Sequence, residues 1–180
     1  MKKVMYSIVA IALVLTFTFF AVASGGSDAQ TSGDGGNKKN ETTTENAKIP
    51  AYKLGETVTV KTSDKEYTIT ITGVKETKKR NEFSDKQADR VILISYEFEN
   101  IACEDDLYIS DMDMKVYDKD NNILENYPAT ERKSASSVSQ GRKGSGVIAY
   151  ALNNANNYVE MEHYSNIFNS RPDCKFLLEW

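Results

Sequence analysis

The residues from Glu66 to Val74 alternate between two chemistries. Tyr67, Ile69 and Ile71 share one parity, and Thr68, Thr70 and Thr72 share the other. In extended chain a period of two sends successive side chains to opposite faces. The β-branched threonines tolerate extended backbone and water together. This segment therefore reads as a strand with one buried face, and it cannot be an amphipathic helix, whose apolar residues recur every three to four. The same pattern recurs down the chain. Val58 and Val60 oppose Thr57 and Thr59. Arg90–Asn100 is apolar on both faces at its start and on one face later, as Ile94, Tyr96 and Phe98, which fits a central strand covered on both sides at one end. Met112, Met114 and Val116 are expected to point inward. Leu107-Tyr108-Ile109 reads as a short strand or bend. Asp118–Asn122 reads as a polar turn leading to a return strand through Ile123, Leu124 and Tyr127, which Pro128 ends. Val147–Leu152, Tyr158–Glu162 and Cys174–Trp180 complete about eight strands. Thr130–Lys143 reads as loop, and a short helix fits only within Asn81–Ala88. The expected fold is all-β: an immunoglobulin-like antiparallel sandwich over residues 50–180, with Ile69, Ile71, Ile94, Tyr96, Val116 and Ile148 in its core.

The N-terminal fifty residues have another character. Met1-Lys2-Lys3 is a positive start, Val4–Ala23 is apolar apart from Ser7, Thr16 and Thr18, and Ala21-Val22-Ala23 offers small residues to a signal peptidase. Residues 1–23 read as an export signal cleaved after Ala23, or alternatively as a retained membrane anchor. The stretch is similar to a lipoprotein signal, but Ser24 stands where the lipid-bearing cysteine would be. Residues 24–49 are Gly, Ser, Thr, Asn, Asp, Glu and Lys for most of their length, the composition of a disordered linker. Export followed by a tether predicts an extracellular or cell-surface location.

Composition narrows the function. With 22 Lys+Arg against 26 Asp+Glu the net charge is −4, so the chain lacks the basic footprint that nucleic acid requires. One histidine and two cysteines exclude a four-ligand Cys/His zinc site and c-type haem attachment. No Walker loop, dinucleotide fingerprint or zinc-protease helix occurs. No cofactor is expected.

The order of the segments carries a resemblance. A Leu54-Gly55-Glu56-Thr57-Val58 start precedes a Thr-rich strand. A long strand ends Tyr96-Glu97-Phe98-Glu99-Asn100. Then come Leu107-Tyr108-Ile109-Ser110-Asp111, Val116-Tyr117-Asp118-Lys119-Asp120-Asn121 and a Gly-rich entry to Ile148-Ala149-Tyr150. This resembles an immunoglobulin-like family of unknown function found on Gram-positive secreted proteins and lipoproteins, members of which are sometimes mislabelled telomeric repeat-binding factors. The resemblance implies a fold and a compartment. It transfers no catalytic residue.

Four sets of residues are candidates for chemistry. Cys103 and Cys174 either form a disulfide, as export favours, or stay separate thiols. Asp118, Asp120 and Asn122 have the one-three-five spacing of a calcium loop, but Ile123 replaces its glycine and Ala129 its twelfth-position Glu. The plainer reading is a solvated turn, and no metal site is expected. His163 lacks a nucleophile elbow nearby and reads as an exposed strand-end histidine, and Glu160 and Glu162 share one face of a strand. Tyr108, Tyr117 and Tyr127 flank the acidic hairpin and suggest an interaction patch with an apolar centre and a charged rim, unless all three are buried. With no catalytic set, the expected function is non-catalytic binding of a protein or glycan at the cell surface. A structural envelope module, a secreted hydrolase and a calcium-binding domain are the alternatives.

Overall fold

A computed structural model of the protein describes residues 48–180. The expected export segment and the linker as far as residue 47 lie outside the described residues. Two four-stranded sheets face each other. One has the order β2-β3-β4-β6, from Thr57–Lys61 (β2), Glu66–Thr77 (β3), Arg90–Asn100 (β4) and Lys143–Leu152 (β6). The other has the order β1-β8-β7-β5, from Ala51–Lys53 (β1), Met114–Tyr117 (β5), Tyr158–His163 (β7) and Cys174–Glu179 (β8). All neighbours are antiparallel except β1, which lies parallel to β8. Three residues are too few to show alternation, so this edge strand left no mark in the sequence.

The alternation predicts the core. Ile69, Ile71, Ile94, Tyr96, Val116 and Ile148 are all buried between the sheets, packed with Val58, Val60, Met161, Phe176 and Leu178. A bulge between Ile71 and Gly73 shifts the register of β3, so that Val74 rather than an odd-numbered residue pairs with inward Ile94. On β6, Gly144 and Gly146 sit opposite Phe98 and Tyr96. A Cβ at either glycine would run into the facing ring, so the two aromatic side chains lie flat over a strip of bare backbone.

The two-faced start of β4 also has its explanation. Val91 and Leu93 point away from the main core into a second apolar cluster with Ala149, Ala151, Tyr127 and Ala129. The segment after the acidic hairpin thus folds back over the outer face of β4 and β6. It does so through isolated bridges, Tyr117–Ile123, Asn126–Tyr150 and Lys133–Val147, rather than as the expected continuous return strand. Three further expectations are corrected. Met112 points outward, 71% exposed, because residues 111–113 form a 3-10 turn capped reciprocally by Ser110 and Asp113. Residues 81–88 hold no helix; the Asn81 side chain accepts from Phe83 N at 3.0 Å and turns the chain. Within 130–143, Val138 bridges to Leu107. Among the described residues, both apolar clusters draw on residues 52–180.

Candidate functional site

The acidic hairpin after β5 is built around one carboxylate. Asp118 Oδ1 accepts from the backbone N–H of Asp120 at 2.9 Å and of Asn122 at 2.8 Å. Its Oδ2 accepts from the side-chain amides of Asn122 and Asn154, each at 3.1 Å. Asn121 adopts a left-handed φ of 63°, which an Asn tolerates. Burial pushes the Asp118 carboxyl up, but the donors on Asn122, Asp120 and Asn154 together outweigh it and hold it below the usual carboxylate range. The calcium-like spacing therefore serves a turn: N–H groups occupy the oxygens that a cation would need. Among the described residues no group of three or more His, Cys, Asp or Glu is arranged to hold a metal ion.

Beside this turn lies a groove of about 390 Å³ between the hairpin, residues 86–87 and residues 153–154. Gln87, Asn122 and Asn153 supply amides, and Ile123, 59% exposed, supplies apolar surface. Lys86 reaches Glu125 at 2.6 Å and donates to the Asn126 carbonyl at 2.8 Å, fixing the two walls to each other.

His163 is not an exposed strand-end residue. It is 1% exposed, at the end of β7, and its Nε2 lies 2.6 Å from the Tyr67 hydroxyl of the opposite sheet. Its Nδ1 makes no hydrogen bond of proper geometry, although the Asp113 backbone lies near enough to favour the charged ring. Burial outweighs that, bringing its pKa down to about 4. Glu160 and Glu162 do share a face, and Lys175 of β8 bridges them at 2.6 and 3.4 Å. Tyr164 donates to Glu162 at 2.7 Å. One cation and one hydroxyl thus hold both carboxylates in place.

Of the two alternatives for the cysteines, the structure has separate thiols: Cys103 and Cys174 are both free. Cys103 Sγ lies 3.7 Å from the Glu66 carbonyl, while Cys174 is buried in β8 opposite His163. The tyrosines do not converge. Tyr108 is 52% exposed, Tyr117 is half-buried beside Glu162 on the outer face of its sheet, and Tyr127 is buried in the second apolar cluster. The hairpin folds back so tightly that its flanking tyrosines end on different surfaces. The groove went unseen because its walls come from three segments that only the fold-back brings together.

Two stacked sheets around a shared apolar core define an immunoglobulin-like β-sandwich domain. The chain belongs to the family described as Domain of unknown function (DUF4352), which its residues 52–173 match. The fold is shared with the secreted protein MPT63 of Mycobacterium tuberculosis, at 14% identity and a TM-score of 0.57, over 74% of this chain and 99% of that one. It is also shared with yjhA of Bacillus subtilis, at 16% identity and a TM-score of 0.51, over 71% and 98% of the two chains. A third likeness is to ycdA of Bacillus subtilis, assigned as a lipoprotein, at 14% identity and a TM-score of 0.53, over 66% of this chain but only 38% of that one. No curated protein matches the chain in sequence. At these identities the likeness establishes the fold alone.

Proposed function

We propose that the chain is an exported, cell-surface or secreted domain that binds a macromolecular partner, protein or glycan, without turning over a substrate. The carrying observation is the contrast between its titratable groups and its groove. The Asp118 carboxylate is fully engaged by the turn, His163 is buried against Tyr67, and Glu160 and Glu162 are tied to Lys175. A general base must be free to reach a substrate proton, and these are not. The groove instead sets polar side chains around an exposed Ile123, the mixture by which a binding surface combines desolvation with directional hydrogen bonds. Export is supported by the Lys2-Lys3 start, the apolar run to Ala23 and the fold shared with a secreted protein. The acidic charge argues against a nucleic-acid partner.

Two measurements test this. The domain should retain components of the producing cell's envelope fraction or a glycan panel, and Ile123→Asp should abolish that retention while leaving the fold intact. Hydrolysis of a peptidoglycan, peptide or ester substrate at an enzyme-like rate would overturn the reading.

A further inference from the structure

The polar groups of the groove beside the acidic turn divide into engaged and open ones. Asp118 accepts from the Asp120 and Asn122 N–H groups and from the Asn122 and Asn154 amides. Asn154 also accepts from Asn156 N at 3.0 Å, and Lys86 is held by Glu125 and the Asn126 carbonyl. The open groups are fewer. Neither the Gln87 carboxamide nor the Asp120 carboxylate makes a hydrogen bond among the described residues. Asn122 donates to Asp118 and keeps its Oδ1 free. Asn153 accepts from Asp89 N at 3.5 Å and keeps its Nδ2 free.

This set discriminates between ligands. The hairpin backbone is closed: the N–H groups of Asp118, Asp120, Asn121, Asn122 and Leu124 all donate within the chain, and the Glu125 carbonyl accepts from Ala151 N. An extended peptide docks on open strand-edge backbone, and the groove presents none along this wall. Among the described residues its lining also holds no aromatic ring and no arginine, the side chains that anchor protein partners. Lys86 is engaged and Asp120 is not, so a phosphate or carboxylate ligand would meet repulsion with no open cation to offset it.

We propose that the groove binds a neutral saccharide segment, an inference that rests on the binding role proposed above. Asp120 and Asn122 Oδ1 call for donors, Asn153 Nδ2 for an acceptor, and Gln87 for both. A hydroxyl donates and accepts at one atom, so adjacent sugar hydroxyls answer the whole set without charge. Ile123, 59% exposed, covers the apolar face of a ring. The volume of about 390 Å³ lies at the lower end of the range for small-ligand clefts and suits a short segment of chain. With one aliphatic side chain as its apolar surface the site is weak, on the order of millimolar. Weak sites gain when many act on one polymer or one surface.

The test titrates the full-length chain, kept soluble in a zwitterionic detergent, by saturation-transfer NMR. The probes are neutral trisaccharides of the gluco, manno, galacto and N-acetylglucosamine series, with trigalacturonate as the acidic counterpart. At least one neutral trisaccharide should bind saturably, and trigalacturonate about tenfold more weakly. Ile123→Asp and Gln87→Ala should each lower the neutral affinity about tenfold with native circular dichroism, the effect of one lost contact. Asp120→Asn should narrow the gap between neutral and acidic probes, a change that misfolding does not produce. Failure of every neutral trisaccharide to bind, equal binding of trigalacturonate, or unchanged affinity in folded Ile123→Asp and Gln87→Ala would overturn the inference. Envelope retention separates this inference from the wider reading. If retention depends on Ile123 while no neutral trisaccharide binds or competes, the saccharide falls and the binding role stands. If retention also ignores Ile123, both fall.

Discussion

The Tyr67 hydroxyl and His163 Nε2 meet at 2.6 Å across the interior, joining β3 of one sheet to β7 of the other, and 96 residues separate them in sequence. The rings stand edge to face with centroids 5.8 Å apart. A tyrosine that donates here leaves the neutral imidazole proton on Nδ1, turned toward the Asp113 backbone.

The pair makes folding sensitive to acid. Burial, as the largest cause, lowers the folded pKa of His163 from 6.5 to about 4. Between these values the unfolded chain binds the proton and the folded chain does not. Stability is therefore complete above pH 6.5 and is lost as pH falls toward 4, by roughly 3 kcal/mol in full. Urea midpoints at pH 7.5, 6 and 5 should decline in order, and His163→Gln should flatten that slope.

Tyr67→Phe should cost about 1–3 kcal/mol at pH 7.5, because it leaves the buried Nε2 without a partner. Equilibrium unfolding checks this, and an unchanged midpoint would show that the hydrogen bond contributes nothing.

Asp118→Ala removes the acceptor for two backbone and two side-chain donors at the hairpin. A loss of about 2 kcal/mol is expected. Hydrogen exchange should show the Asp120 and Asn122 amides losing protection first, since both point at that carboxylate.

Gly146→Ala should destabilise by about 1–3 kcal/mol, since the new methyl meets the ring of Tyr96. That ring cannot swing aside cheaply: its hydroxyl donates to the Ile109 carbonyl at 2.7 Å. Thermal unfolding measures the cost.

In thiol titration of the native domain, Cys103 should react and Cys174 should not. Cys174 is 1% exposed and burial pushes its thiol up to about 12. Denaturant should release the second equivalent. A count of zero in denaturant would reveal a disulfide instead.

The fold was legible where packing repeats along the chain. Ile69 and Ile71 announce a buried face by parity, and Val91 with Leu93 announce a second covered face. The positions that failed depend on partners remote in sequence. Nothing near His163 indicates that Tyr67 will cover it. Met112 is the exception: Ser110 and Asp113, close by in sequence, cap a 3-10 turn and swing it outward, a local signal that the alternation of Met112, Met114 and Val116 masked. The Asp118–Asn122 spacing suits a cation and a turn equally; the Asp120 and Asn122 donors, joined by the Asn154 amide 36 residues on, decide for the turn. The three tyrosines beside the hairpin looked like neighbours because proximity along the chain is lost when a tight turn sends its flanks to opposite surfaces.

The parallel pairing of β1 with β8 has a mechanical side. The chain enters the domain at Pro50, whose carbonyl accepts from Lys175 N at 3.0 Å, and β1 then runs alongside β8 for three register pairs. If a partner grips the domain near Glu179 while the chain before residue 50 is pulled the other way, the load runs along β1 and shears those bonds together. Three residues hold little, so β1 would slip free before the sheets part. The domain would lengthen by one short strand, like a fuse, with the rest of its core still closed.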